Sequence, residues 1–371
     1  MRIGIDARLI HETGVGRYIR NLISAVARHD RRNRYFAYLT PEASKQYKLP
    51  HGWESRVVGV RWHTLREQAV MADRFRRDRL DLVHVPYFNA PVLYPGKFVL
   101  TIHDLTVLHF ATGRATMLPI PLYYLRRAGY RAVMSVGLRR ASAVLAVSRE
   151  TEKELGDHYP FVRGKVTVTR EGVDAAFIKE SAENPDPEYT AEPPYFLYVG
   201  NAYPHKNLGR LADSFRIFRD RSGGADVKMV FVGAEDPFYA RLKNDLRGAD
   251  GDAFRFFGPV EDRTLLRLYR HAVALVFPSL MEGFGLPVLE ALSVGCPVLA
   301  SDIGVFREVG DGFVNYFDPQ SLQSMADAMT QAFGKYRPGS KRSVTAGLAG
   351  HLSTFSWDQL GRQTVKVYNS V

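Results

Sequence analysis

The sequence predicts an α/β protein built from two doubly wound domains. Short apolar runs with the length of buried strands alternate with helical segments along all 371 residues, as in parallel sheets covered by helices. In both halves, glycine-rich or polar loops directly follow predicted strands. Residues 181–194 are rich in Pro, Glu, Asp and Ser without periodicity, so we predict that they link a domain over residues 1–180 to one over residues 195–354.

The composition is that of a soluble globular protein, with 46% hydrophobic and 24% charged residues. One cysteine, Cys296, excludes a disulfide framework and is consistent with a reducing compartment. The chain runs from Met1 straight into a predicted strand, and no apolar stretch is long enough to cross a bilayer. We therefore expect a cytoplasmic protein.

The positive charge is concentrated in the first half. The net charge is +11, and residues 1–185 contain 30 Lys and Arg against 18 Asp and Glu. Such asymmetry implies an anionic partner, which is a membrane surface, a nucleic acid or an anionic acceptor. The alternative is a basic face that only keeps the domain soluble.

In the first half, candidate site residues follow the carboxyl ends of two predicted strands. The predicted strand Arg2–Asp6 leads through Gly14, Gly16 and Arg17 into a helix, the arrangement that places a phosphate at a helix N-terminus, although G-x-G alone is a weak signal. The apolar strand Phe98–Ile102 ends in His103 and Asp104. Ligands of open α/β sheets bind at that edge, so His103 is a candidate for the reacting centre, with Asp104 either orienting it or anchoring the loop.

Residues 117–140 interleave aromatic and aliphatic residues with arginines. This is the composition of a surface that rests on an anionic membrane. The alternative is an amphipathic helix that packs its apolar side on the sheet and leaves its arginines in water. The candidate membrane or acceptor residues are Tyr123, Tyr124, Arg126, Arg127 and Arg131.

The most informative loop follows the apolar run of residues 272–277. Gly283 and Gly285 let backbone N–H groups approach an anion, and a helix that opens at Pro287 adds partial positive charge at the same place. Glu282 and Glu290 bracket this loop and can face one crevice. An anion cradle between two carboxylates suits a ligand with phosphate and hydroxyl groups, such as a nucleotide sugar.

The whole segment 278–291 resembles the signature of retaining glycosyltransferases of family 4 (GT4), in which two glutamates are separated by seven residues. The resemblance implies the GT-B fold, in which two Rossmann-like domains face a cleft and a C-terminal helix, here about residues 355–371, crosses back to the first domain. The glycine loop, the His-Asp strand end and the loop with Lys206 occur in the family's order. The sequence departs from the family's pattern at two positions: it has Asn201 where an arginine is usual, and Glu171 where an asparagine is common.

The resemblance also assigns roles. His103, Lys206 and Glu282 become the catalytic residues, with Lys206 on the donor pyrophosphate and His103 and Glu282 on the sugar. Glu290 binds ribose hydroxyls. The further donor-binding residues are Gly14, Gly16, Arg17, Asn201, Gly258, Val260, Gly283, Phe284, Gly285 and Leu286.

The implied reaction is retaining transfer of a hexose, best matched by mannose from GDP-mannose, to a lipid-linked or oligosaccharide acceptor in cell-surface polysaccharide synthesis. The enzyme would lie on the inner face of the cytoplasmic membrane. No cofactor is expected, and no metal, because no Asp-x-Asp pair stands at a strand end with metal-like surroundings. The alternatives are a sugar-nucleotide epimerase or phosphorylase on the same scaffold, or a nucleotide- or nucleic-acid-binding protein without chemistry. The expected partners of the transferase do not include nucleic acid.

Overall fold

The computed structural model describes residues 1–12, 14–62, 64–110, 120–174, 177, 193–223, 226–247, 252–336 and 343–371, and it leaves out the side chains of residues 107, 120–123, 125 and 126. The described chain forms two compact units. One consists of residues up to 110, residues 120–171 and residues 356–371, and the other lies within residues 172–355. Of the predicted linker, only Pro193 and Pro194 belong to the described residues.

The first unit contains a seven-stranded parallel sheet with the order β3-β2-β1-β4-β5-β6-β7. Its central strands are fully buried on both faces, because helices cover the sheet on each side. The strands are β1 (Arg2–Asp6), β2 (Arg34–Leu39), β3 (Glu54–Val57), β4 (Leu82–Val85), β5 (Phe98–Ile102), β6 (Ala143–Ala146) and β7 (Val166–Val168).

Local side chains cap the starts of several helices of this unit. Thr64 and Ser148, for example, accept hydrogen bonds from the first turns that follow them. The helices are α1 (Gly14–His29), α2 (Pro41–Gln46), α3 (Leu65–Arg77), α4 (Thr106–His109), α5 (Ile120–Arg140) and α6 (Arg149–His158).

The second unit contains a six-stranded parallel sheet with the order β10-β9-β8-β11-β12-β13. Its strands are β8 (Tyr195–Val199), β9 (Lys228–Val232), β10 (Phe254–Phe257), β11 (Leu275–Phe277), β12 (Val298–Ser301) and β13 (Asn315–Phe317). Its helices are α7 (Leu208–Arg221), α8 (Pro237–Asp245), α9 (Asp262–His271), α10 (Leu286–Ser293), α11 (Gly304–Gly310), α12 (Leu322–Lys335) and α13 (Ala346–Leu352).

Both sheets have a point at which the strand order reverses. In the first sheet it lies between β1 and β4, and in the second between β8 and β11. Helices leave such a point towards opposite faces of the sheet, which opens a crevice beyond the carboxyl ends of the two strands. The loops after these four strands are therefore the places to look for a ligand.

The C-terminal helix α14 (Trp357–Tyr368) belongs to the first unit and packs on α1. The two helices approach closely at Gly361, where a Cβ atom would lie 2.7 Å from the Cβ of Ala25. The side chain of Ser356 caps the start of the helix. This confirms the prediction that the last helix returns to the first domain.

A buried polar chain joins this last helix to the centre of the first sheet. Nδ1 of His84 lies 2.5 Å from the hydroxyl of Tyr368, and its Nε2 lies 2.8 Å from Oγ1 of Thr101. Thr101 is also 3.1 Å from the hydroxyl of Tyr18 on α1. Both ring nitrogens of His84 are thus paired inside the core, and burial lowers its pKa to about 3.

We predict a pH dependence of stability that originates at His84. Its pKa in the folded state is about 3, whereas an exposed histidine has a pKa near 6.5, so the unfolded chain takes up the proton first as the pH falls. The stabilisation is complete above about pH 6.5, and the free energy of unfolding should fall by about 1 kcal/mol per pH unit between about pH 6 and 4.5. Urea denaturation at stepped pH measures this slope. His84→Gln should flatten it, and equal slopes in the two proteins would contradict the assignment.

Candidate functional site

An ammonium and a carboxylate meet at the reversal point of the second sheet. Nζ of Lys206, in the loop after β8, lies 2.5 Å from Oε1 of Glu282, in the loop after β11. Their side chains are only 12% and 11% exposed. Oγ of Ser279 donates to the same carboxylate oxygen at 2.6 Å. The two residues predicted to bind the donor phosphate and the sugar are thus brought together in this unit.

Asn207 fixes the two loops against each other. Its side-chain amide donates to the carbonyl of Pro278 at 3.2 Å and to that of Pro319 at 2.8 Å. Its φ of 62° lies in the left-handed region, which asparagine tolerates better than most residues. The amide of Leu280 adds a hydrogen bond to the carbonyl of His205 at 2.8 Å. Lys206 and Glu282 are therefore held in place by the backbone around them.

The helix α10 begins directly after Gly285 and has no side-chain N-cap. Gly285 has a φ of 100°, and a Cβ there would lie 2.8 Å from the ring of Phe306, so only glycine fits. The loop formed by Gly283, Phe284, Gly285 and Leu286 thus ends at a helix N-terminus whose N-cap residue is a glycine, which is an arrangement suited to an anion.

Glu290 and Glu282 have different partners. Glu290 lies on α10 and is 4% exposed, and the hydroxyl of Tyr269 on α9 donates to its Oε2 at 3.0 Å. The observed contact ties α10 to α9. The ribose-binding role assigned to Glu290 stays a prediction.

The remaining donor-site candidates of this unit follow β8 and β10. Asn201 is half-buried, and its carbonyl accepts from the hydroxyl of Tyr198 at 2.6 Å, which fixes the loop before Lys206. Gly258 is exposed and Val260 half-buried at the end of β10, the edge strand that β9 separates from β8. The sheet therefore sets these two residues apart from the Lys206 pair.

In the first unit, His103 is nearly buried at the end of β5. Its Nε2 lies 3.1 Å from the carbonyl of Pro86, after β4, and its Nδ1 lies 3.5 Å from Oε1 of Glu171. The edge of the Tyr18 ring packs on it with ring centroids 4.7 Å apart. Asp104 does not orient this ring: its carboxylate accepts from the amide of Thr106 at 2.8 Å and anchors the loop, the second of its two predicted roles. The carboxylate beside His103 is that of Glu171.

Family models match both units. One described as "Glycosyltransferase Family 4" matches residues 13–177, and one described as "Glycosyl transferases group 1" matches residues 181–341. The chain belongs to glycosyltransferase family 4.

Two relatives of this glycosyltransferase are O-antigen mannosyltransferases. The O-antigen chain mannosyltransferase B of Escherichia coli is 26% identical, and the alignment covers 96% of each chain. The O-antigen chain mannosyltransferase RfbU of Salmonella typhimurium is 28% identical over 249 residues, which are 66% of this chain and 63% of the relative. The second alignment thus spans under two thirds of the relative's length.

Solved structures confirm the predicted GT-B fold. Sucrose-phosphate synthase from Thermosynechococcus elongatus superposes with a TM-score of 0.77 at 18% identity, covering 100% of this chain and 98% of the other. Anabaena HepE in complex with UDP-glucose gives a TM-score of 0.74 at 15% identity, covering 100% of both chains. At such identities the likeness is one of fold.

The N-terminal glycine loop of the glycosyltransferase is explained only in part by its packing. A Cβ at Gly16 would lie 2.6 Å from the carbonyl oxygen of Ile10, so glycine is needed for α1 to pass close to the preceding loop. Gly14 has open space around its Cβ position. Arg17 is half-buried on the first turn of α1. Ligand binding by these three residues stays a prediction.

A buried ion cluster beside this loop was not predicted. Nη2 of Arg8 lies 2.6 Å from Oδ2 of Asp6 and 2.5 Å from Oε1 of Glu67, and all three side chains are at most 10% exposed. Nδ2 of Asn89 donates to the other oxygen of Glu67. The cluster lies at the carboxyl end of β1 and ties the loop after it to α3. Its members are up to 83 positions apart in sequence, so no local pattern reveals it.

The basic helix α5 packs inside the unit along its second half and has an exposed tyrosine near its start. Its second half packs inside the unit, with Met134 and Leu138 buried. Tyr124, in contrast, is 57% exposed. The side chains of Tyr123 and Arg126 lie outside the described residues.

Two arginines of α5 have partners within the protein. Arg127 and Arg131 both donate to the carbonyl of Leu108 on α4, the latter at 3.2 Å. They therefore hold the short helix after His103 as well as adding positive charge. Within the described residues, no helix is both long and apolar enough to span a membrane.

Proposed function

We propose that the chain is a retaining, metal-independent glycosyltransferase that moves a hexose from a nucleoside diphosphate sugar to a glycan hydroxyl. The observation that carries this proposal is the Lys206–Glu282 pair at the reversal point of the second sheet. Glycosyl transfer develops negative charge on the leaving diphosphate and positive charge on the sugar. An ammonium, a carboxylate and an uncapped helix start within one unit provide complementary charge for both.

Each group then has a role in the transfer. When the donor binds, Lys206 exchanges part of its contact with Glu282 for a contact with the diphosphate, and the amides around Gly285 bind the same group. Glu282, which Ser279 already orients, accepts from hydroxyls of the sugar. Because these groups neutralise the leaving diphosphate, the proposal needs no divalent ion. Glu290 is assigned to ribose, and His103 to a sugar hydroxyl.

The sugar and acceptor are proposed from the relatives. Since two of them are named O-antigen chain mannosyltransferases, we propose mannose from GDP-mannose as the donor and a lipid-linked glycan as the acceptor. The basic first half and the exposed Tyr124 on α5 support docking on an anionic membrane, where such an acceptor would lie.

Lys206→Ala and Glu282→Ala should each lower turnover by about a hundredfold or more, because each removes a charge that the reacting groups need. Glu290→Ala should chiefly raise the KM for the donor. The assay follows release of GDP from GDP-mannose with a glycan acceptor, and NMR of the product reports retention at the anomeric carbon. Lys243→Ala is the matched control, since it removes a lysine of the same unit that pairs with the exposed Glu235.

Near-normal turnover in Lys206→Ala would refute the donor-site assignment. Incubation of the donor alone, and of the donor with inorganic phosphate, separates the rival reactions: an isomerised donor indicates an epimerase, and a sugar phosphate indicates a phosphorylase. An inverted product would exclude the retaining reaction while leaving the donor site intact.

Membrane docking should depend on charge. Surface attraction is screened within about 8 Å at physiological salt, so binding to vesicles with anionic lipids should fall as salt rises. It should fall further when Arg126, Arg127 and Arg131 are changed together to Glu. Co-sedimentation measures both effects, with neutral vesicles as the control and a melting curve to show that the variant is folded. Binding that ignored salt and charge reversal would contradict the electrostatic docking.

A further inference from the structure

A second group of ionisable side chains lies in the first unit, whereas the Lys206 pair lies in the second. His109 ends the short helix α4, and Glu154 and His158 lie one turn apart on α6. Nε2 of His109 is 2.5 Å from Oε1 of Glu154, and the rings of His109 and His158 have centroids 5.0 Å apart. One potential ligand atom of each residue lies within 4.8 Å of the other two.

We propose that His109, Glu154 and His158 bind one divalent transition-metal ion, for which zinc is the best match. Two imidazoles and a carboxylate are ligands that zinc prefers, and three protein ligands leave a fourth position for water. Ligand atoms lie about 2.0–2.2 Å from zinc in tetrahedral sites, so two ligands of one ion are roughly 3.3–3.6 Å apart. Rotation of the two exposed histidines and the half-buried glutamate would complete the site by opening the 2.5 Å contact between His109 and Glu154 and closing the wider separations, each by about an ångström.

The surrounding charges favour a cation at this place. The carboxylates of Asp104, Glu150 and Asp157 act on Glu154 through space, and their negative potential attracts a divalent ion. The backbone next to His109 is held in place, because Arg127 and Arg131 donate to the carbonyl of Leu108.

The ion would join two segments that already meet near His103. Oγ1 of Thr151, on α6, donates to the carbonyl of His103 at 3.3 Å. A metal between His109 and α6 adds a second link between α6 and the segment that follows β5. Its role is to fix this segment, and it takes no part in neutralising the leaving diphosphate, so the inference does not depend on the proposed reaction.

The test uses the full chain without an affinity tag, freed of metal by a chelator and titrated with zinc chloride by calorimetry. We expect one ion per chain. His158→Ala and the nearly isosteric Glu154→Gln should each weaken zinc binding at least about tenfold, because even changes behind the ligands of metal sites cost 10–100-fold. His51→Ala, which removes an exposed histidine outside the cluster, is the matched control and should bind as the wild type does.

Cobalt(II) provides a second readout. Bound in place of zinc, it should give the intense visible absorption of four-coordinate cobalt in the wild type, and this absorption should be lost in Glu154→Gln, whose melting curve verifies folding. Three results would overturn the proposal: no saturable zinc binding by the wild type, unchanged affinity in both cluster variants, or an equal loss in His51→Ala.

Discussion

The loops at the carboxyl edge of the second sheet depend on one ion pair, that between Lys206 and Glu282. Each charge is almost removed from water, so deleting either side chain leaves the other without its counter-charge, which is far more costly than losing an exposed pair. The pair also joins the loops after β8 and β11, and Asn207 links the first of these loops to the carbonyls of Pro278, after β11, and Pro319, after β13. In the proposed reaction, a diphosphate takes over only part of the contact of Lys206, and Glu282 keeps the hydrogen bond that it accepts from Ser279. The Lys206–Glu282 contact that stabilises the two loops is therefore suited to be exchanged in part for a contact between Lys206 and the proposed donor.

In the first unit, a buried chain of hydrogen-bonded side chains holds the region around His103 in place. The hydroxyl of Tyr368, His84, Thr101 and Tyr18 are hydrogen-bonded in sequence, and the Tyr18 ring packs on His103. Buried networks whose members are all paired make a core rigid, because any change of geometry leaves a polar group unsatisfied. The last helix of the chain thereby supports the strand end at which His103 lies.

The fold could be predicted because strand length, loop chemistry and order agree along the chain. Continuous apolar runs defined Phe98–Ile102 and Tyr195–Val199 to the residue, whereas the three-residue strand Asn315–Phe317, only partly buried, is too short to form a pattern and was not predicted. Within the site, glycine spacing and paired glutamates predicted the Glu282 loop, and the family resemblance at a polar loop after a strand predicted Lys206. Contacts between distant segments could not be predicted: Arg8 meets Glu67, and Glu171 rather than Asp104 faces His103. Gly16 shows a further limit of prediction from sequence. A glycine required by close packing against Ile10 looks the same in the sequence as a glycine of a phosphate-binding loop.

The measurement that tests the donor site most directly is hydrogen exchange of the whole chain with and without GDP. If the diphosphate binds between Lys206 and the start of α10, amides in residues 200–208 and 279–292 should become protected, because bound ligand raises the free energy of local opening there. UDP and dTDP serve as comparisons for the choice of base. Protection confined to other parts of the chain, with these two loops unchanged at saturating nucleotide, would contradict the assignment of Lys206 and Glu282 to the donor.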